Sequence, residues 1–402
     1  MRIGHSLIAV AVAAAVSTSA HAVDFSYSGF STAAYAQSDT DKAYLGNTGQ
    51  PEGIDKDGSF ETDSKIGLQV TARFNDVFSA TVQGVAYADL ASDWAPRIDW
   101  AFVRVKAHDT VSLRAGYLRP PVFMFSDSVF VGYANTWVRP PLEIYNKMPV
   151  YQLRGADVAW TDTVGSLNLT VQGFYGDSET DVGKDANIKA KDWAGGAVGV
   201  QSGNLRVHGS YSELTIRRMT PDAMAPVIAG LQQVPAQLCG ACAKYLDAAV
   251  ASDKVIKIAT FGAQYDDGKN LAMAEYARVR SEWLVIAESN AMYATLGRRF
   301  GAFTPYVTYG MNDIVSPTSA DDMPIPALRD GLNMMLSRTT DQDSYSAGVR
   351  YDLPSFWVLR GAVLKLQYDR IETDGGAGIL TVVKPGFDGK VNLLSLSFDA
   401  LF

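Results

Sequence analysis

Residues 394–402 read Leu394-Ser395-Leu396-Ser397-Phe398-Asp399-Ala400-Leu401-Phe402. Leu394, Leu396, Phe398, Ala400 and Phe402 share one side of an extended chain, and Ser395, Ser397 and Asp399 share the other. This period of two marks a strand with an apolar medium on one face and a polar one on the other. The same alternation recurs upstream. Ile66, Leu68, Val70, Ala72 and Phe74 oppose Gly67, Gln69, Thr71 and Arg73, and Leu167, Leu169, Val171, Gly173 and Tyr175 oppose Asn168, Thr170 and Gln172. Leu205, Val207, Gly209 and Tyr211 oppose Arg206, His208 and Ser210. Val358, Ala362, Leu364, Leu366 and Tyr368 oppose Lys365, Gln367 and Asp369, with Arg360 interrupting the apolar side.

Sixteen such segments are expected, at 24–38, 65–75, 78–88, 97–108, 111–120, 151–162, 166–177, 189–202, 204–216, 254–265, 270–281, 290–300, 302–314, 343–353, 356–372 and 391–402. The links between them alternate in length. Asn75-Asp76-Val77, His108-Asp109-Thr110, Thr163-Val164-Gly165, Gly203, 266–269, Gly301 and Leu353-Pro354-Ser355 are tight. The links 39–64, 121–150, 178–188, 217–253, 315–342 and 373–390 are long. An even number of antiparallel strands with short turns at one rim and long loops at the other describes a barrel in an outer membrane. A pair of soluble sandwich domains would also alternate, but no linker or change of composition divides the chain. Tyr87, Tyr117, Tyr175, Tyr265 and Phe300 stand near the ends of apolar faces, as aromatic girdles require. An open sheet edge in hydrocarbon would leave backbone N–H and C=O groups unpaired at several kcal/mol each, so the sheet must close. The fold expected is all-β: a 16-stranded antiparallel transmembrane barrel formed by residues 23–402 as one domain.

Composition agrees. The 402 residues are 47% hydrophobic and only 19% charged, with 35 Gly and 11% aromatic residues, and the formal charge of -8 leaves no basic footprint for nucleic acid. Mean hydropathy is -0.01, because strands that face lipid and water in turn average to neutrality. Residues 1–22 have the form of an export signal: Arg2, an apolar run from Leu7 to Val16, then Ala20-His21-Ala22 before a cleavage point. That run is shorter than the roughly 18 residues needed to span a bilayer as a helix. The only cysteines, Cys239 and Cys242, lie in the long 217–253 loop. They suit a disulfide-closed turn, although the spacing also resembles a redox pair.

With its signal, sixteen segments and terminal Phe402, the chain resembles the general porins of the Gram-negative outer membrane. Gly116-Tyr117-Leu118-Arg119-Pro120-Pro121 and Trp137-Val138-Arg139-Pro140-Pro141-Leu142-Glu143-Ile144-Tyr145 also look like a segment of uncharacterised proteobacterial porin-like proteins. The resemblance implies a homotrimer among outer-membrane lipids and lipopolysaccharide. It implies that Phe398 and Phe402 belong to a signal read by the barrel-assembly machinery. It also implies that the loop after the fifth strand, 121–150, folds inward to narrow a channel.

The loop's own residues suit that role. Phe123, Met124, Phe125, Phe130, Trp137 and Ile144 supply anchors, Asp127, Arg139 and Glu143 supply charge, and the proline pairs stiffen the path. An external loop packed on a neighbouring subunit is the alternative. The expected constriction comprises Arg119, Asp127, Arg139, Glu143 and Arg154. The expected lumen lining comprises Arg73, Arg104, Lys106, Arg114, Arg206, Arg278, Arg280, Arg298 and Lys365. Arginines facing Asp127 and Glu143 would set a transverse field across the opening and favour anions despite the net negative charge. Beyond residue 22 the only histidines are His108 and His208, too few for a histidine metal site or a hydrolytic triad. No phosphate-cradling glycine loop is present either. No enzyme activity, cofactor or metal is expected. The function expected is passive diffusion of ions and small hydrophilic solutes, the alternative being a receptor, adhesin or structural barrel that acts through its loops.

Overall fold

The computed structural model describes residues 23–46, 53–88, 94, 96–147, 152–183, 186–220, 224–235, 237–336, 340–354 and 359–402. The export signal expected over 1–22 lies outside them. Sixteen strands form a closed antiparallel barrel. They are β1 (Asp24–Ser38), β2 (Lys65–Arg73), β3 (Phe78–Tyr87), β4 (Arg97–Lys106), β5 (Val111–Leu118), β6 (Leu153–Val164), β7 (Leu167–Gly183) and β8 (Ala186–Ser202). There follow β9 (Leu205–Thr220), β10 (Lys254–Asp266), β11 (Asn270–Ser281), β12 (Ser289–Arg298), β13 (Phe303–Ile314), β14 (Gln342–Asp352), β15 (Gly361–Thr373) and β16 (Lys390–Leu401).

Each strand pairs with its neighbour in sequence, and β1 completes the ring by pairing with both β2 and β16. At the seam Phe402 exchanges backbone hydrogen bonds with Gly29, at 2.8 and 3.0 Å. A Cβ on Gly29 would collide with the Phe402 ring, so a bare backbone at residue 29 makes room for the terminal aromatic. The alternation of β16 points as its sequence requires. Leu394 and Leu396 are 55% and 51% exposed on the outer face, whereas Ser395, Ser397 and Asp399 are buried inside.

Among the described residues the short-turn rim is tight, with Gly165 and Gly203 at φ 64° and 54°, the left-handed conformation such turns favour, while the turn expected at Leu353-Pro354-Ser355 extends outside them from Ser355. At the other rim, of the link expected as a loop over 178–188, residues 178–183 and 186–188 are instead strand. β7 and β8 continue their ladder to Gly183 and Ala186, with register shifts at Gly176/Ser178 and Asp181/Gly183. The reason is local: Asp177-Ser178-Glu179-Thr180-Asp181 has no apolar face, because here the hairpin has left the lipid. Backbone pairing persists where the alternation that signals it has ended.

The 217–253 loop is largely ordered. Helices α2 (Ala225–Gln232) and α3 (Gly240–Ala249) pack with α4 (Pro326–Leu336) around Met224, Leu231, Tyr245, Met323 and Leu332. Cys239 and Cys242 are joined as a disulfide beneath this cap. Cys239 is also the N-cap of α3, its sulfur accepting the Cys242 N–H. Replacing both cysteines by serine is expected to speed proteolysis within 225–250 while leaving channel conductance unchanged. Equal cleavage rates would show that the helix contacts alone hold the cap.

Candidate functional site: the inward loop and the lumen wall

After β5 the chain turns into the barrel, through 3₁₀ turns at Ser126–Ser128 and Gly132–Ala134 and a single helical turn, α1 (Leu142–Tyr145). Aromatic side chains bring it to the far wall. Trp137 meets Phe125 and Tyr293 edge to face at 5.9 and 5.5 Å, and Phe123 lies tilted against Tyr145 at 5.5 Å. Hydrogen bonds then fix the register. The Met124 N–H and the Tyr145 hydroxyl donate to Glu275 of β11 at 2.8 and 2.6 Å. Trp137 Nε1 donates to Thr295 and Thr308 at 3.0 Å, and the Val138 N–H donates to Gln367 at 2.9 Å. Ser210 and Thr260 donate to the Val122 carbonyl at 2.6 and 2.7 Å.

Buried ion pairs do the rest. Arg139 reaches Asp63 at 2.6 Å, Asp369 at 3.0 Å and Ser395 at 2.9 Å. Lys365 pairs with Asp399 at 3.0 Å while donating to the Gly132 and Trp137 carbonyls at 2.7 and 2.8 Å. A Cβ on Gly132 would strike the Asp399 carboxylate and the Thr32 hydroxyl, so the loop can approach this cluster only through glycine. Arg119 pairs with Asp99 at 2.5 Å and holds the Ser126 carbonyl at 3.1 Å. Arg350 grips the Tyr133 and Asn135 carbonyls at 2.7 and 3.1 Å.

Of the five residues expected at the constriction, three are loop anchors. Arg119, Arg139 and Glu143 are all buried; Glu143 accepts from Gln342 at 2.9 Å instead of facing an arginine. Burial raises its carboxyl above the usual carboxylate range, and burial likewise brings the amine of Lys147 down to about 7. Asp127 is the exposed acid, on the first 3₁₀ turn. Arg154 faces outward: Asp157, three residues on, points into the lumen, and strand faces alternate.

The same geometry corrects Arg278, Arg280 and Arg298. Glu275 is bonded to the inward loop, so Arg278, at an odd spacing from it, lies on the outer face with Arg280 and Tyr276. Arg298 sits outside by the same count from Thr295, over the Phe300 ring at 5.5 Å. The inversion has a physical cause. Beneath the loop the inner wall is a protein core, in which Leu271, Met273, Val279, Ile256 and Ile258 pack with Trp137 and Tyr145. There the apolar face points inward, opposite to the rule for a wall between lipid and water. Lys365 does face inward but is sealed under the loop.

Arg73, Arg104, Lys106, Arg114 and Arg206 remain as inward basic residues. By register, Arg73 lies beside Ser79, Ser79 beside Arg104, Arg104 beside Arg114, and Arg114 beside Asp157, forming one row across β2 to β6. Asp157 takes Arg114 through a two-pronged contact at 2.5 and 3.0 Å, with Gln172 added at 2.9 Å. Among the described residues Arg73, Arg104 and Arg206 form no ion pair. Nothing in the local sequence marks the acids Asp63, Asp99, Asp157 and Glu275, or Arg350, as partners of the loop and its arginines. Asp369 and Asp399 were at least visible on polar strand faces.

The sequence matches the family model described as Gram-negative porin over residues 9–376. No curated protein matches it. Among solved structures it is similar to OmpT of Vibrio cholerae in its trimer form, at 13% identity and TM-score 0.56, covering 95% of this chain and 100% of that one. It is also similar to OmpF of Salmonella typhi, solved with daunomycin, at 12% identity and TM-score 0.58, covering 94% and 97%. The anion-selective porin from Comamonas acidovorans is similar at 11% identity and TM-score 0.55, covering 95% and 100%. The chain belongs to the Gram-negative porins, channel-forming barrels of the outer membrane.

Proposed function

We propose that the protein is a passive, non-catalytic diffusion channel for small hydrophilic solutes that prefers anions. The observation carrying this reading is the distribution of lumen charge. Asp63, Asp99, Asp157, Asp369 and Asp399 are each spent on a cation, and Glu143 and Glu275 are buried in hydrogen bonds, which leaves Asp127 as the exposed acid against Arg73, Arg104 and Arg206, none of them in an ion pair among the described residues. A surplus of fixed positive charge beside a water path raises the local anion concentration. The anion-selective porin with the same fold is consistent with this reading. The trimer form of OmpT supports a homotrimer here. Arg278 and Arg280, above Tyr276 on the outer face, suit the phosphates of lipopolysaccharide, and Phe398 and Phe402 suit recognition by the assembly machinery.

Planar-bilayer recording tests the reading. Stable conductance steps with a reversal potential displaced toward chloride in a KCl gradient are expected. A barrel that never opens would favour a receptor or adhesin acting through the helical cap, and displacement toward potassium would overturn the anion preference. Asp157→Asn, which frees Arg114, is expected to move the reversal potential further toward chloride, and Arg206→Glu to move it back. The reverse order would place the selecting charges elsewhere.

A further inference from the structure

On the short-turn side of the inward loop, Arg73, Ser79, Arg104, Lys106, Ser112 and Thr161 line one cavity of ≈ 610 Å³. We infer that this cavity is a saturable binding basin for compact dianionic oxyanions, a phosphate or a short dicarboxylate. The inference rests on the anion-conducting reading but goes beyond it, because selectivity needs only a field whereas a basin needs convergent donors.

The donors converge by register. Arg73 and Arg104 flank Ser79 on adjacent strands, which places their backbones about 10 Å apart. Both side chains line the same cavity as the serine. Each guanidinium offers a planar fork that matches two oxygens of a phosphate or carboxylate, and charge-assisted bonds of this kind are about twice as strong as neutral ones. Ser112 is the cross-strand partner of Lys106 one step nearer the turn, adding a hydroxyl and an ammonium. The acids that also border the cavity, Asp76 and Asp109, belong to the turns, and Asp109 is 88% exposed where it meets Lys106 at 2.7 Å. They border the exit, and among the described residues no carboxylate forms an ion pair with Arg73 or Arg104. A single negative charge would leave this floor with surplus cation; two charges match its two unpaired guanidinium groups. Short turns face the periplasm in outer-membrane barrels, so the basin lies past the constriction for a solute entering from outside.

The test uses the full-length protein in planar bilayers, recording chloride current while succinate at pH 7, or inorganic phosphate at pH 8, is added to one side. Saturating block is expected, at lower concentration from the short-turn side. Arg73→Gln with Arg104→Gln is expected to raise the half-blocking concentration about 10-fold or more, the loss of a charge-assisted contact. Should that variant not fold, Arg73→Lys with Arg104→Lys keeps the charge, loses the forks and is expected to weaken block about 3-fold. Arg154→Gln, on the outer face, should leave block unchanged. Acetate should not block; equal block by acetate would overturn the dianion assignment, and block unaltered in the arginine variants would overturn the site. A chloride-selective channel without saturable block would refute the basin alone, whereas absence of chloride selectivity would refute the reading beneath it.

Discussion

Arg139→Met is expected to unfasten the inward loop and to lower the stability of the barrel by about 3–5 kcal/mol, the usual consequence of removing one partner from a buried ion cluster. Arg139 joins three parts of the chain: Asp63 before β2, Asp369 on β15 and Ser395 on β16. Without it two carboxylates, 3% and 6% exposed, lose their ion-pair partner. The penalty is the desolvation of those carboxylates far more than the lost attraction. The triple variant Arg139→Met, Asp63→Asn, Asp369→Asn should therefore regain most of the loss. The temperature at which the folded band disappears on unheated SDS gels measures this, and single-channel recording should show larger, noisier steps for the single variant. An Arg139→Met protein that melts with the wild type and conducts with the same step would show that the loop is held elsewhere.

Trp137→Ala should produce the second large effect, about 3–5 kcal/mol, by a different route. Trp137 is 1% exposed, set between Phe125 and Tyr293 with Nε1 shared by Thr295 and Thr308. Truncation leaves a void where the loop meets β12 and β13. The two threonine hydroxyls still bond each other at 2.8 Å, so the loss is mainly packing. Trp137→Phe should retain most of the stability, losing about 1 kcal/mol for the indole hydrogen bond. Conductance should rise in the alanine variant, because the loop segment beside Arg139 loses its wedge. An alanine variant less affected than the phenylalanine variant would rule out a packing role. A Trp137→Ala channel of unchanged conductance would separate the loop's packing from the width of the pore.

Much of this architecture was legible. The strands at 65–75, 166–177 and 391–402 announced themselves because a wall between lipid and water forces alternation, and the inward course of the loop, implied by the resemblance, agreed with its many aromatics. The disulfide spacing was visible too, whereas the helices around it were not, since α2 and α3 form their apolar core jointly with α4 from a distant loop. The lining of the channel was read only in half. Arg73, Arg104, Lys106, Arg114 and Arg206 face inward because their strands touch water on that side. Arg278 and Arg280 belong to a strand that backs onto the loop, where Leu271, Met273 and Val279 point inward to pack with it. The alternation there is intact, but its meaning is reversed by a segment more than a hundred residues away in sequence.

Residue order by itself determined the barrel and the number of its strands, because these follow from period, from turn length and from the requirement that no backbone edge meet lipid. Only the tertiary structure decided which charges are free. Arg119, Arg139 and Lys365 looked like channel residues until Asp99, Asp63, Asp369 and Asp399 were found beside them. Alternation assigns a side chain to a face but gives neither its height nor its neighbour across the barrel, and the electrostatics of a channel depend on both.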